Sequence, residues 1–124
     1  MKLRLHTIRG RYAVARLDAS ERVPSWPRGD FVSITRTPDE LSIVCDEDAV
    51  PKDVRAERGW RCLAVEGPIP FEVTGVAASL ANALADARIS VFLLSTFDTD
   101  YVLVKDEAFE RACDALRAAG HDVE

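Results

Sequence analysis

Residues 89–104 read ISVFLLSTFDTDYVLV, and this stretch decides the fold. A nearly continuous apolar run ends at Leu94, and a second apolar run begins at Tyr101. The six residues between them are rich in Ser, Thr and Asp, which are common turn formers. The pattern predicts two antiparallel strands joined by a tight connection. Because the first run is nearly continuous, we expect its strand in the interior of a sheet, with the second strand as its partner.

Helical periodicity appears on both sides of this hairpin. A helix is predicted over residues 75–87, with an apolar stripe of Val76, Leu80, Leu84 and Ala87. A second helix is predicted after Asp106, which can cap it, and before Gly120, a residue suited to a helix C-terminus. Its apolar face consists of Phe109, Ala112, Cys113 and Leu116. A strand over residues 60–65 and a short edge strand over 121–124 complete this half.

The first half carries weaker signals. Residues 2–6 and 12–17 alternate between apolar and polar positions, which predicts two strands joined by a turn at Gly10. Residues 18–29 are polar and contain two prolines, so at best one helical turn is expected there. Two further strands are predicted on either side of a turn at residues 37–40. The segment 46–57 is weakly helical and is interrupted by Pro51.

The two halves resemble each other at an offset of 60 residues, which pairs Thr35 with Ser95, Glu40 with Asp100 and Asp46-Glu47 with Asp106-Glu107. Each half then has the order strand, helix, strand, strand, helix, although the first helix is shortened in the first half. This order is typical of a ferredoxin-like βαββαβ plan in the α+β class, with antiparallel sheets and helices on one face. The predicted modules are residues 1–59 and 60–124. A chance similarity of two hairpins is the alternative explanation.

A family resemblance follows from two further stretches. Residues 67–76 read GPIPFEVTGV, and together with residues 89–104 they resemble ACT domains. The similarity is to the small bacterial tandem-ACT proteins and to the ACT modules of the CASTOR arginine sensors, which are related to aspartate kinase regulatory domains. It covers nearly the whole chain. The resemblance therefore implies two tandem ACT modules.

The resemblance implies a non-catalytic regulatory protein that binds a small amino acid at an interface between ACT modules. It places ligand contacts at the helix start and in the hairpin, and the candidate binding residues are Gly75, Val76, Thr96, Phe97, Asp98 and Asp100. The arginine sensors have an acidic residue two positions before the glycine, where this chain has Val73. Arginine is therefore not carried over as the ligand.

These residue types suit an α-amino acid. The first turn of a helix offers unpaired N–H donors and a positive dipole end to a carboxylate. Asp98 or Asp100 could accept from the ammonium group. Ser, Thr and Asp could instead serve only the turn, and Phe97 could be a core or interface anchor.

Composition and charge exclude several other classes. The chain has 124 residues, 48% hydrophobic and 30% charged, with a net charge of −5. It therefore lacks the basic surface that nucleic acids require. Its apolar runs are too short to span a membrane, and it begins without a signal-peptide pattern, so we expect a cytoplasmic protein.

Catalytic and metal-binding patterns are also lacking. Three dispersed cysteines are expected as buried, reduced thiols, and the two histidines lie near the two ends. We expect no metal and no cofactor, and an enzyme is the least favoured class. The partners expected are an amino acid, a second copy in a homodimer or other homo-oligomer, and an unidentified regulated protein. The alternative function is an ACT-mediated interaction module without a ligand.

Overall fold

The computed structural model describes all residues from 1 to 124. Its seven strands are β1 (Arg4–Leu17), β2 (Ser33–Arg36), β3 (Leu41–Asp46), β4 (Arg55–Val65), β5 (Phe92–Ser95), β6 (Asp100–Lys105) and β7 (Asp122–Val123). The two α-helices are α1 (Val76–Asp86) and α2 (Phe109–Ala118). The chain divides into one compact unit of Met1–Ile8 with Arg61–Glu124 and another of Arg9–Trp60. Neither helix is long and apolar enough to cross a bilayer.

The unit formed by Met1–Ile8 and Arg61–Glu124 contains both helices and is called the helical unit. Its strands follow the order β1-β4-β6-β5, and β7 pairs in parallel with the start of β1. The expected interior position of the strand that ends at Leu94 is wrong, because β5 ends this order and none of its residues is fully buried. The predicted apolar faces are confirmed, except that Ala87 follows the end of α1 and is only partly buried. Val76, Leu80 and Leu84 of α1 are buried, as are all four predicted residues of α2, and they pack in one core with Leu63, Val65, Val102 and Val104. This unit has the antiparallel sheet and helices of a ferredoxin-like α+β fold.

The unit of Arg9–Trp60, called the sheet unit, contains no α-helix. Strand β3 lies between β2 and β1 and is antiparallel to both. Its core consists of Ala13, Ala15, Leu41, Ile43, Cys45, Ala49 and Val50. The weak helix predicted over residues 46–57 is wrong, because a single 3₁₀ turn at Glu47–Ala49 is followed by strand β4 from Arg55. Pro51, which has no N–H to donate, lies between these two elements.

The predicted turn at Gly10 is also wrong. Residues on both sides of Gly10 belong to one continuous strand of 14 residues, β1. Gly10 does have a positive φ of 103°, which glycine adopts without a Cβ penalty. Such a residue within a strand commonly marks a local irregularity rather than a reversal of the chain.

The two hairpins do correspond, but with an offset of 59 residues rather than 60. Arg36 pairs with Leu41 in the β2–β3 hairpin, and Ser95 pairs with Asp100 in the β5–β6 hairpin, which relates 36 to 95 and 41 to 100. Both turns close with the same bond: Thr37 N–H donates to Glu40 O at 2.9 Å, and Thr96 N–H donates to Thr99 O at 2.8 Å. Asp39 is therefore the counterpart of Asp98.

The ends of α2 differ in how well they were predicted. Asp106 does not cap the helix; it begins a 3₁₀ turn, and its carboxylate accepts from Arg61 Nη1 at 3.3 Å. The guanidinium of Arg61 also lies 4.1 Å from the centre of the Phe109 ring. Gly120 is confirmed at the C-terminus, with φ of 98° and its N–H donating to Arg117 O.

Candidate functional site

The helical unit contains an open cleft of about 280 Å³ between the start of α1 and the β5–β6 hairpin. Every candidate residue from the sequence lines this cleft: Gly75, Val76, Thr96, Phe97, Asp98 and Asp100. The fold thus brings the helix start and the hairpin together, although about twenty residues separate them in the chain. Ligand binding by these six residues stays a prediction.

The helix side of the cleft presents backbone donors. Ser79 N–H makes the first intrahelical bond, to Gly75 O at 2.9 Å, so the amides of residues 76–78 have no acceptor within α1. No side chain caps the helix, and its first turn contains no acidic residue. The free N–H groups and the positive end of the helix dipole are suited to a carboxylate. Gly75 itself has φ of 86°, a left-handed conformation that favours glycine.

The hairpin side presents acceptors. Ser95 Oγ donates to Asp100 Oδ1 at 2.6 Å, which orients this carboxylate beside the turn. Thr96 Oγ1 donates to Thr99 O at 3.1 Å, so Thr96 has the turn-forming role considered in the alternative interpretation. The carboxylate of Asp98 is exposed at the tip and receives no side-chain hydrogen bond. Both acids are therefore available to an ammonium group.

The loop before α1 is fixed against this hairpin. Ile69 N–H donates to Asp98 O at 2.7 Å, and Thr99 Oγ1 donates to Val65 O at 2.6 Å. A Cβ at Gly67 would lie 3.0 Å from Asp98 O and 3.1 Å from Thr99 Cβ, so the approach requires glycine. These contacts hold the cleft walls at a defined separation.

An exposed aromatic pair forms the rim of the cleft. Phe71 is 73% exposed and Phe97 is 80% exposed, and their rings meet edge to face with centroids 5.0 Å apart. Phe97 is therefore not a core anchor. Sequence reasoning assigned no binding role to Phe71, although the run Gly-Pro-Ile-Pro-Phe directly before the helix start could have suggested one. The other lining residues that it did not select are Ile69, Pro70, Val73, Ala77, Ser95 and Thr99.

The charges in the cleft have one sign. Asp98 and Asp100 line it, whereas no Lys, Arg or His does. Glu72, the acid nearest to the helix start in sequence, is exposed and does not line the cleft. A ligand carboxylate would therefore find no cationic side chain in the cleft and would depend on neutral donors such as the backbone amides of α1.

Outside the residues that line the cleft, Ser79 of α1 forms a hydrogen bond with a buried histidine. His121 is 3% exposed; its Nδ1 accepts from Leu3 N–H at 3.0 Å, and its Nε2 lies 3.0 Å from Ser79 Oγ. Since Nδ1 accepts, Nε2 carries the proton and donates to Ser79. Burial, and to a smaller extent the N-terminal ammonium, lower the pKa of His121 from its ordinary value.

The cysteines have no place in the cleft. Cys45, Cys62 and Cys113 are free and buried, as predicted. Burial raises the pKa of all three thiols, that of Cys62 to about 12. Nowhere in the chain do three His, Cys, Asp or Glu side chains converge as metal ligands would.

Comparison with known proteins identifies the family. A family model described as an ACT domain matches residues 55–118, more than half of the chain. The chain therefore belongs to the ACT domain family. A second model, described as an N-terminal domain, matches residues 10–53.

Relatives of this ACT protein include an arginine sensor. It is 32% identical over 96 residues to the bovine cytosolic arginine sensor for mTORC1 subunit 1, covering 68% of this chain and 29% of the sensor. A human protein named CASTOR3P is 36% identical over 90 residues, covering 62% of this chain and 55% of that protein. The chain thus spans about half of one curated relative and less than a third of the other.

Solved structures agree with this assignment. A crystal structure from Agrobacterium tumefaciens has 45% identity and a TM-score of 0.94, and the match covers all of this chain and 93% of that one. The regulatory subunit of aspartate kinase from Thermus thermophilus has 12% identity and a TM-score of 0.60, covering 90% and 93%. The second likeness shows the fold alone. The protein is therefore an ACT-domain relative of amino-acid sensors.

Proposed function

We propose that this ACT protein is a non-catalytic, cytoplasmic regulatory protein that binds a small amino acid in the cleft of the helical unit. All residues that line this cleft come from one unit, whereas the family resemblance implied a site at an interface between ACT modules. The observation that carries the proposal is the convergence of the unpaired amides of α1 with Asp98 and Asp100 across one cleft. The carboxylate of the ligand lies at the helix start, and its ammonium group lies at the hairpin. The name of the bovine relative, an arginine sensor, supports a ligand of this class.

We also propose that the chain consists of two tandem ACT modules, residues 1–59 and 60–124. Two family models, at residues 10–53 and 55–118, support this division along the sequence. The repeated hairpin at an offset of 59 residues supports it too. The sheet unit lacks the helix whose start forms the cleft, so one site per chain is expected.

The binding proposal is tested by thermal unfolding in the presence of each of the twenty amino acids. A ligand at a hundred times its Kd stabilises the folded state by about 2.7 kcal/mol, which is easily measured. Absence of a shift with every amino acid, confirmed by calorimetry, would refute the proposal.

Charge-neutral variants then locate the site. Asp98→Asn and Asp100→Asn are each expected to weaken binding roughly tenfold or more, because a hydrogen bond to a charged partner contributes about 1.5–3 kcal/mol. Asp39→Asn is the matched control, since Asp39 has the position of Asp98 in the other hairpin. It should leave the affinity unchanged. Equal effects of all three variants would argue against this cleft.

A second candidate function is assembly without a ligand, as a homodimer or with a regulated protein. It is favoured by strand β5, which lies at the end of the strand order and pairs with β6 alone. An unpaired strand edge can add a strand from another chain. Under this function, no amino acid would bind to the wild type, and Asp98→Asn and Asp100→Asn would leave the oligomeric state unchanged, as measured by light scattering.

A further inference from the structure

The aromatic rim of the cleft is not explained by the stability of the fold. Phe71 and Phe97 are the two most exposed phenylalanines, and their rings contact each other rather than the core. Both lie in segments held by backbone hydrogen bonds at Ile69 and Asp98. The backbone on which the two rings are placed is thus fixed, while most of the apolar surface of the rings is exposed to water. Such a surface is suited to binding a group that removes it from water.

We propose that Phe71 and Phe97 form a side-chain subsite that selects an amino acid with a large uncharged side chain. The inference rests on the proposed function, because it assumes that the amino and carboxyl groups are bound as described above. With the carboxyl group at α1 and the ammonium group at the hairpin acids, the apolar wall of Ile69, Phe71 and Phe97 is left for the side chain.

The charge of the cleft determines which side chains it rejects. An acidic side chain would meet Asp98 and Asp100 and would find no Lys, Arg or His among the lining residues. Aspartate and glutamate should therefore be excluded by repulsion and by the loss of their hydration.

Cationic side chains are the closer competitors. A cationic side chain would be attracted to Asp98 and Asp100, but these acids are already engaged by the ammonium group of the ligand. At the rim itself, a cation over an exposed phenylalanine ring gains little, since phenylalanine is a weaker cation–π partner than tryptophan and water screens the charge. A branched or aromatic side chain gains more from removing both its own and the two rings' apolar surface from water. The subsite should therefore bind an uncharged amino acid more tightly than a cationic amino acid of similar size.

The experiment uses ligand pairs of similar size but different charge, measured by titration calorimetry on the full chain. The pairs are norleucine against lysine, methionine against glutamate, and leucine against aspartate. We expect the uncharged member to bind at least tenfold more tightly in each pair. Tighter binding of lysine than of norleucine would overturn the inference in favour of a cation site.

Two variants assign the selectivity to the rings. Phe71→Ala and Phe97→Ala should each reduce leucine affinity roughly tenfold while leaving alanine affinity within about twofold, because alanine is too short to reach the rim. Phe97→Leu, which keeps an apolar side chain, should retain most of the affinity for leucine. The control is Val23→Ala, an exposed apolar residue of the sheet unit at 51% exposure. Since these side chains are exposed, circular dichroism should show unchanged folding.

The outcomes separate this inference from the function on which it rests. If the protein binds amino acids but the Phe variants weaken leucine and alanine equally, the subsite is refuted and the function stands. If the Phe variants change the oligomeric state and not the leucine affinity, the rim is an interface between copies, which also refutes the subsite. If no amino acid binds, the proposed function and the subsite both fail.

Discussion

At the scale of single residues, His121 links the chain ends to the cleft helix. Its imidazole accepts from Leu3 N–H and donates to Ser79, which lies one turn after the helix start at Gly75. A second proton on the ring would occupy Nδ1 and remove the acceptor of the Leu3 amide. Lys2, which precedes Leu3, and Asp122, which follows His121, pair with each other at 3.7 Å. Apart from the N-terminal ammonium, no charge is found to shift its pKa.

His121 makes stability depend on pH with a defined sign. Its folded pKa is lowered by burial below the ordinary value of 6.5, so the unfolded chain takes up a proton first as the pH falls. Its contribution to stability is complete above pH 6.5 and is lost as the pH falls through the folded pKa. We expect urea unfolding between pH 8 and 5 to show this loss, with a slope of at most about 1.4 kcal/mol per pH unit.

Two variants test the assignment to His121. His121→Asn keeps an acceptor but cannot titrate, so it should remove this part of the pH dependence. His6→Asn changes the other histidine, which is exposed, and should retain it. A pH profile that is the same in the wild type and in His121→Asn would contradict the prediction.

At this scale, six of the residues that line the cleft could be predicted from the sequence, but Phe71 could not. Some of these residues are of types with specific chemistry: Gly75 lies next to a helical stripe, and Thr96 and Asp100 lie between two apolar strands. Phe71 has no such signal, because a phenylalanine in a loop is usually buried, and only its exposure next to Phe97 distinguishes it. Likewise, nothing in the spacing shows that His121 meets Ser79, since 42 residues separate them.

At the scale of elements, two left-handed glycines allow a matched comparison. Gly75 precedes α1 with φ of 86°, and Gly120 follows α2 with φ of 98°. A Cβ at Gly75 would have its nearest contact 3.9 Å away, at Met1 Cε, and a Cβ at Gly120 would meet nothing within 4 Å. Substitution by alanine at either position therefore tests backbone conformation with little steric clash.

Both alanine variants should lose about 1–2 kcal/mol of unfolding free energy, because alanine is strained in the left-handed region. Gly75→Ala should also weaken amino-acid binding, since it shifts the amides at the start of α1. Gly120→Ala should leave binding unchanged because it lies outside the cleft. Equal binding losses in the two variants would mean that binding depends on overall stability and not on the helix start.

The elements of the helical unit could be predicted because long periodic patterns support them. The stripe of α2 was identified completely, and the hairpin of β5 and β6 agrees within a few residues. In the sheet unit, Gly10 suggested a turn within what is one strand, and residues 46–57 suggested a helix where β4 begins. In short segments, tertiary contacts determine whether the residues form a strand, a helix or a turn, and local propensity alone does not.

The repeat offset shows the same limit. Identical side chains favoured a register that pairs Asp46-Glu47 with Asp106-Glu107, whereas strand pairing relates Glu47 to Asp106. Backbone register is set by hairpin hydrogen bonds and alternating burial, and a shift by one residue would exchange the two faces of the strand. The corrected register is what identifies Asp39 as the counterpart of Asp98.

At the scale of the whole molecule, the two units share two strands. Strands β1 and β4 each contribute residues to both units, so the strand backbone of one unit continues directly into the other. A unit of about 60 residues buries little surface and is marginal alone. The two units are therefore expected to unfold in one cooperative step.

The three buried thiols allow this to be measured without any substitution. Cys45 lies in the sheet unit, and Cys62 and Cys113 lie in the helical unit. Alkylation requires the thiolate, and burial raises the pKa of each thiol, so the folded chain should be protected at pH 8. We expect a brief pulse of N-ethylmaleimide in increasing urea, read by peptide mass spectrometry, to label all three sites at one midpoint. That midpoint should coincide with the loss of the circular dichroism signal.

An amino acid bound in the cleft should raise the midpoint of Cys45 as much as that of Cys62, although Cys45 does not line the cleft. Labelling of Cys45 at clearly lower urea, or a ligand shift confined to Cys62 and Cys113, would show instead that the sheet unit opens independently.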